Sequence, residues 1–311
     1  DWLFASELFY RLDALYEEQG THKKDVERQN QRLGMLRLYV PARLWDLRNA
    51  RQVAEGLDPL PAYNPIGDDY RVKLASIDER MVVRALGRSA GEHVDRVGMA
   101  SLMLGGLNAV RTMATTPDLR AAFPGFGDES ARGRLLSDLD TEIAALEKSV
   151  SVAREADCAD LVARLRDAND RSVRMPEPAL LHEFGNGAMS RLDEFSAIIW
   201  PDEIRRFERN TQGRFVGVGV QIEFDELSNI KVVTPLDGTP AQRAGIRSGD
   251  VIKKVDGQIA YGFTLDQAVD VITGPEHTKV VLTIERDQGE QGKQEIDFPL
   301  TRSYIQVKTV K

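Results

Sequence analysis

Gly217 and Gly219, in the run Val216-Gly217-Val218-Gly219-Val220-Gln221-Ile222, are the residues of this chain best suited to grip a ligand. Glycine frees the backbone to turn successive N–H groups into one concavity, and such a concavity suits an anion. The loop runs straight into Val218, Val220, Ile222 and Phe224, spaced with the two-residue period of a strand. An open strand beside N–H donors is what a peptide needs to add as an extra strand and place its terminal carboxylate. A dinucleotide fingerprint is excluded, because no helix follows Gly219 and the third glycine is missing.

A second element is expected to wall this groove. Thr264 to Gly274 reads as a short helix with Thr264 as N-cap, Gly274 as stop, and Leu265, Val269 and Ile272 at i, i+4 and i+7 on one face. That face is expected against Val218 and Val220, as the floor of a pocket for the last side chain of a peptide. The expected peptide-binding set is Val216, Gly217, Val218, Gly219, Val220, Ile222, Leu265, Ala268, Val269 and Ile272, with Val216 to Val220 supplying carboxylate donors. Arg243 and Arg247 are secondary positions for charge steering or domain contacts.

Other reactive residues form no constellation. Cys158 is the only cysteine, so no intrachain disulfide exists, and its place between two helical patterns suggests a buried or inert thiol. His22, His93, His182 and His277 share no metal-ligand spacing, so neither a metal nor a cofactor is expected. Gly105-Gly106 lacks the Gly-Lys-Ser/Thr ending of a phosphate loop and is expected to serve close helix packing. Asp138, Asp140, Glu142 and Glu147 read as a solvated helix face rather than a catalytic pair.

The 311 residues, 42% hydrophobic and 29% charged, have room for about two domains. A net charge of -8 argues against nucleic acid as a partner. No apolar run reaches about eighteen residues, so no membrane-spanning helix is expected. The start at Asp1, without methionine or a signal-like stretch, leads us to expect that a leader, anchor or larger upstream part has been removed.

Residues 1 to about 210 read as helix after helix. Phe4, Leu8, Leu12 and Leu15 share a face before Gly20, and a second run covers His22 to Leu57 with a break at Pro41. Pro59, Pro61, Pro65 and Gly67 mark a loop. Further helices are expected at Asp69 to Ser89, Gly91 to Thr115 and Ser130 to Ala156, the last with a seam of Leu136, Leu139, Ile143, Leu146 and Val150 for bundle packing.

The order of loop, strand, Ala241-Gln242-Arg243-Ala244-Gly245 turn, Gly249-Asp250-Val251-Ile252-Lys253-Lys254-Val255-Asp256-Gly257 hairpin and helix resembles a PDZ domain. Upstream, Leu192-Asp193-Glu194-Phe195-Ser196, then Trp200-Pro201-Asp202-Glu203, Phe207 and Gln212-Gly213-Arg214-Phe215-Val216-Gly217-Val218-Gly219, resembles the approach to the PDZ domain in carboxy-terminal processing (tail-specific) serine peptidases. Glu194 and Phe195 replace the commoner Pro-Tyr of that family. The resemblance covers about residues 178 to 311.

The expected fold is therefore multidomain α plus α+β. A large all-α domain (1–210, with a split into two sub-bundles expected near 58–68) precedes a PDZ-like small β-barrel or sandwich with two helices (211–302). Residues 303–311, with Ile305, Val307 and Val310 among polar neighbours, resemble the strand that leads into the family's catalytic domain. The resemblance implies recognition of protein C-terminal tails as the substrate-binding and regulatory part of a carboxy-terminal processing endopeptidase, in a periplasmic or extracytoplasmic setting. Partners would be those tails, the peptidase's own catalytic domain and a second copy in a homo-oligomer. The family's nucleophilic serine and general-base lysine lie downstream in motifs absent here, and covalent acyl transfer needs both. No catalytic residue is assigned, and these 311 residues alone are not expected to hydrolyse peptides. The alternative is a non-catalytic adaptor that binds C-termini and assembles through its helical domain.

Overall fold

A computed structural model of the chain describes residues 23–60, 62–63, 65, 68–95, 97–148, 153–193, 195–204, 214–225, 229–260, 263, 265–289 and 292–306. The expected helix through Phe4, Leu8, Leu12, Leu15 and Gly20 lies outside the described residues. So do His22, Pro61, Gly67, Val150, Glu194, Phe207, Gln212, Gly213, Thr264, Val307 and Val310. The chain divides into two compact units, Asp1–Arg48 with Asp68–Asp202, and Asn49–Gly67 with Glu203–Lys311.

Eight α-helices among the described residues precede the strands: α1 (Lys23–Tyr39), α2 (Pro41–Ala54), α3 (Tyr70–Leu74), α4 (Glu79–Glu92), α5 (Met99–Ala114), α6 (Glu129–Lys148), α7 (Glu155–Asp170) and α8 (Glu177–Met189). None of the described helices is long and apolar enough to cross a membrane. Pro41 opens α2 where its missing N–H costs least, so the expected break falls there. Residues 69–89 form two helices rather than one. Asp78 caps α4 by accepting the Met81 N–H at 2.8 Å, and that cap starts a new helix within a continuing apolar pattern. Similarly α5 begins only at Met99, and Cys158 lies inside α7, fully buried, rather than between helices.

The core of this unit is aromatic at one end. Tyr39, Tyr70, Phe123 and Phe126 meet edge-on at centroid separations of 5.0–5.6 Å, a favoured geometry for aromatic quadrupoles. Gly105 and Gly106 do serve close packing: a Cβ at Gly106 would lie 2.5 Å from the Phe184 ring, and one at Gly105 would overlap the Gly187 carbonyl on α8. The acidic face of α6 is laced by surface ion pairs, Asp140 to Arg111 at 3.1 Å and Glu142 to Arg164 at 2.8 Å. Pairs this exposed contribute little, about 0–1 kcal/mol each.

The second unit is β-rich: β1 (Arg214–Gly217), β2 (Val220–Phe224), β3 (Ile230–Pro235), the short helix α9 (Pro240–Ala244), β4 (Val251–Val255), β5 (Gln258–Ile259), α10 (Leu265–Ile272), β6 (Lys279–Asp287), β7 (Lys293–Thr301) and β8 (Ser303–Gln306). One sheet runs β2-β3-β4-β6-β7 with β5 beside β4, and β1 pairs antiparallel with β8 in a second, two-stranded sheet. Asp256 and Gly257, at φ 49° and 78°, make the two-residue connection from β4 to β5, where both central positions need positive φ. The core gathers Val218, Ile230, Val232, Ile252, Val255, Ala268, Ile272, Leu282 and Ile284.

Candidate functional site

The two glycines of the loop have different surroundings. Val216 and Gly217 belong to β1, opposite Tyr304 and Ser303, whereas Val218 and Gly219 lie between β1 and β2. Both loop carbonyls turn into the domain: Val218 O accepts the Ala241 N–H and Gly219 O the Leu236 N–H, each at 2.9 Å. Gly219 sits at φ +79°, a conformation that an L side chain resists. Anchored in this way, the peptide units leave the N–H groups of Val218 and Gly219 without a hydrogen bond to any described residue, although both residues are buried. Two neighbouring backbone donors that the fold does not use can both serve one incoming acceptor.

Next to this loop, β2 is the terminal strand of its sheet, so one edge faces no described strand. Val218, just before β2, is buried and Val220 and Ile222 are half-buried against the core, but Phe224, expected in phase with them, is exposed at the far end. Helix α10 approaches β2. Ala268 and Ile272 join Val218 in the core, while Leu265 and Val269 stay half-buried. The structure thus brings β1, the loop, β2 and α10 together around one strip, with a buried apolar floor and a partly open apolar wall.

Arg243 and Arg247 lie apart from that strip's lining roles. The Arg243 guanidinium donates to Gly238 O at 2.7 Å and closes its own turn, and the Arg247 backbone N–H goes to Asp250 Oδ2 at 2.8 Å. Asp250, 1% exposed, also accepts Arg286 in a two-point fork, Nε to Oδ1 and Nη2 to Oδ2, both at 2.7 Å. The Asp250 hydrogen bonds push the Arg286 guanidinium above its ordinary range. Sequence reading missed this pair because 36 residues separate its members; the Gly-Asp of the hairpin motif was the only local signal. Among the described residues, no group of His, Cys, Asp and Glu converges in a way that could hold a metal ion.

Residues 231–286 match the family described as PDZ domain. The second unit carries a PDZ domain, related to those of carboxy-terminal processing proteases. The chain is 33% identical over 178 residues to a carboxy-terminal-processing protease of Bartonella bacilliformis, a match covering 56% of this chain and 40% of that protein. It is 37% identical over 119 residues to a probable CtpA-like serine protease of Staphylococcus aureus, covering 38% and 23%. Among solved structures, the PDZ domain of a carboxy-terminal protease from Vibrio cholerae in complex with peptide is similar at 23% identity, over 30% of this chain and 99% of that one, with a TM-score of 0.28. The chain spans well under half the length of these curated relatives.

Proposed function

We propose that the PDZ domain captures the free C-terminal tail of a protein, which adds as a strand along β2 with its carboxylate on the Val218 and Gly219 N–H groups. The observation that carries this reading is the pair of N–H groups with no hydrogen bond to a described residue, beside the edge of β2 that faces no described strand. A carboxylate accepts from both through charge-assisted hydrogen bonds. Val218, Ala268 and Ile272 receive the last side chain, and Val220, Ile222, Leu265 and Val269 flank the preceding residues. Val216 and Gly217 hold the loop's root.

In this reading the chain is the substrate-binding and regulatory portion of an extracytoplasmic carboxy-terminal processing serine endopeptidase, organised as a helical domain (1–210), the peptide-binding domain (211–302) and a strand leading onward. The catalytic serine and lysine are supplied from outside these residues. Kinship with carboxy-terminal processing proteases supports it. Affinity should be modest, about micromolar or 8 kcal/mol, because an extended peptide loses backbone freedom for a few pocket contacts.

Fluorescence anisotropy with labelled peptides ending in an apolar residue, each as free acid and as amide, tests the proposal. Tail capture predicts that amidation costs about 2 kcal/mol or more. Equal binding of acid and amide would end the carboxylate reading.

A further inference from the structure

Arg302 is 8% exposed, yet among the described residues its guanidinium meets no carboxylate. Buried guanidinium groups ordinarily find an anionic partner. Here the donors reach neutral oxygens: Nε to Ile272 O at 3.0 Å, Nη2 to Val271 O at 2.9 Å, and Nη1 to Lys279 O at 2.8 Å and Thr278 Oγ1 at 3.0 Å. Val271 and Ile272 form the last turn of α10, where carbonyls lack helical partners and the helix dipole favours a cation. The backbone of Arg302 is tied to the same corner. Its N–H goes to Thr278 O at 2.8 Å, and its carbonyl accepts the His277 N–H at 2.9 Å.

This junction also touches the root of the loop. Ser303, next in the chain, stands opposite Gly217 in the β1–β8 register. Gly274, two residues beyond α10, donates its N–H to Val216 O at 3.3 Å. A Cβ at Gly274 would lie 3.0 Å from Arg302 Nε, so the two positions are tightly packed. The Arg302 guanidinium therefore joins the end of the groove helix to the start of β6, and its backbone leads directly into the strand pair from which the carboxylate loop emerges.

We infer that Arg302 is a positioning residue for the peptide groove: it fixes α10 to the β1–β8 pair and so sets the separation across which a tail is held. This rests on the reading of the groove as a tail-binding site. Arg302 itself never touches the tail. Lysine cannot replace it fully, because an ammonium donates from one point whereas the guanidinium fork spans carbonyls of two elements.

The test compares the full chain with R302M, R302K and T278V, using one labelled peptide with an apolar C-terminus as free acid and as amide, and hydrogen exchange at the Gly274 amide without peptide. The expected result is about tenfold weaker free-acid binding by R302M, with the acid-to-amide ratio falling toward one, an intermediate ratio for R302K, and a loss of about two- to threefold for T278V. Exchange at Gly274 should accelerate in R302M before any peptide is added. A folded R302M that keeps both the wild-type ratio and the wild-type exchange overturns the inference. Should R302M not fold, unchanged binding and exchange in T278V overturn it instead. Should the unsubstituted chain show no acid preference, the tail-binding reading fails first, and unchanged Gly274 exchange in R302M then removes the latch as well.

Discussion

The Thr239 hydroxyl lies within hydrogen-bond reach of two carbonyls, 2.6 Å from Leu236 O and 3.2 Å from Gly219 O, and the Thr239 side chain fills the space that a Cβ at Gly219 would need. Gly219 is therefore held by its carbonyl and by its missing side chain together.

Gly219→Ala should consequently cost about 1–2 kcal/mol for the left-handed backbone alone, with an added penalty from overlap with Thr239. Thermal unfolding measures the first loss. The free-acid tail should bind at least about tenfold more weakly, which anisotropy reads, because shifting one N–H forfeits a charge-assisted bond.

Asp250→Ala should lower the stability of the β-rich unit by about 3–5 kcal/mol, since it strands the Arg286 guanidinium, whose side chain is only 14% exposed, without its carboxylate. Hydrogen exchange of amides in β4 and β6 would report it. A loss below about 1 kcal/mol would mean that Arg286 finds water or the Phe298 ring, 5.6 Å beneath it, as a substitute.

In the helical unit, Tyr39 donates its hydroxyl to Glu183 Oε1 at 2.9 Å, and Glu183 also lies 3.0 Å from His182 Nδ1. Tyr39→Phe should destabilise this unit by about 1–3 kcal/mol, because a buried carboxylate loses a donor. Trp200, which stacks near His182 at 4.8 Å and donates to Asn186, offers a local fluorescence signal for the unfolding curve.

Alkaline pH should weaken the fold in a traceable way. Burial, then Glu155 and Glu79, pushes the Cys158 thiol from 9.0 up to about 12, and burial followed by Glu183 raises the Tyr39 phenol well above its ordinary 10.0. Above pH 9 the unfolded chain therefore loses protons that the folded chain keeps. Stability contributed by these groups is complete below pH 9 and declines as pH rises through the folded values. Cys158→Ala and Tyr39→Phe should each flatten that decline, and Cys158 should resist thiol reagents at pH 8 until the chain unfolds.

The PDZ half was legible because its motifs state local backbone demands. Asp256-Gly257 sits in a connection that needs positive φ twice, and Val220 and Ile222 follow the two-residue spacing, whereas Phe224 is exposed and α10 buries Ala268 and Ile272 more deeply than Leu265 and Val269. Helix boundaries were less legible. Leu74 ends α3 and Ile77 lies in the break before Asp78, yet both are buried, so the apolar rhythm runs through a point where the helix does not. Arg302 gave no signal, because its partners are three carbonyls and the Thr278 hydroxyl, whose positions exist only once α10 and β6 have folded.

The most direct measurement is the backbone amide NMR spectrum of the chain titrated with a peptide ending in an apolar residue, as free acid and as amide. The account predicts that the free acid moves the Val218 and Gly219 N–H signals strongly downfield, with smaller changes along β2 and α10, and that the amide leaves those two signals nearly in place. Val218 and Gly219 signals that stay still while the free acid binds elsewhere, or that move alike for acid and amide, would contradict it.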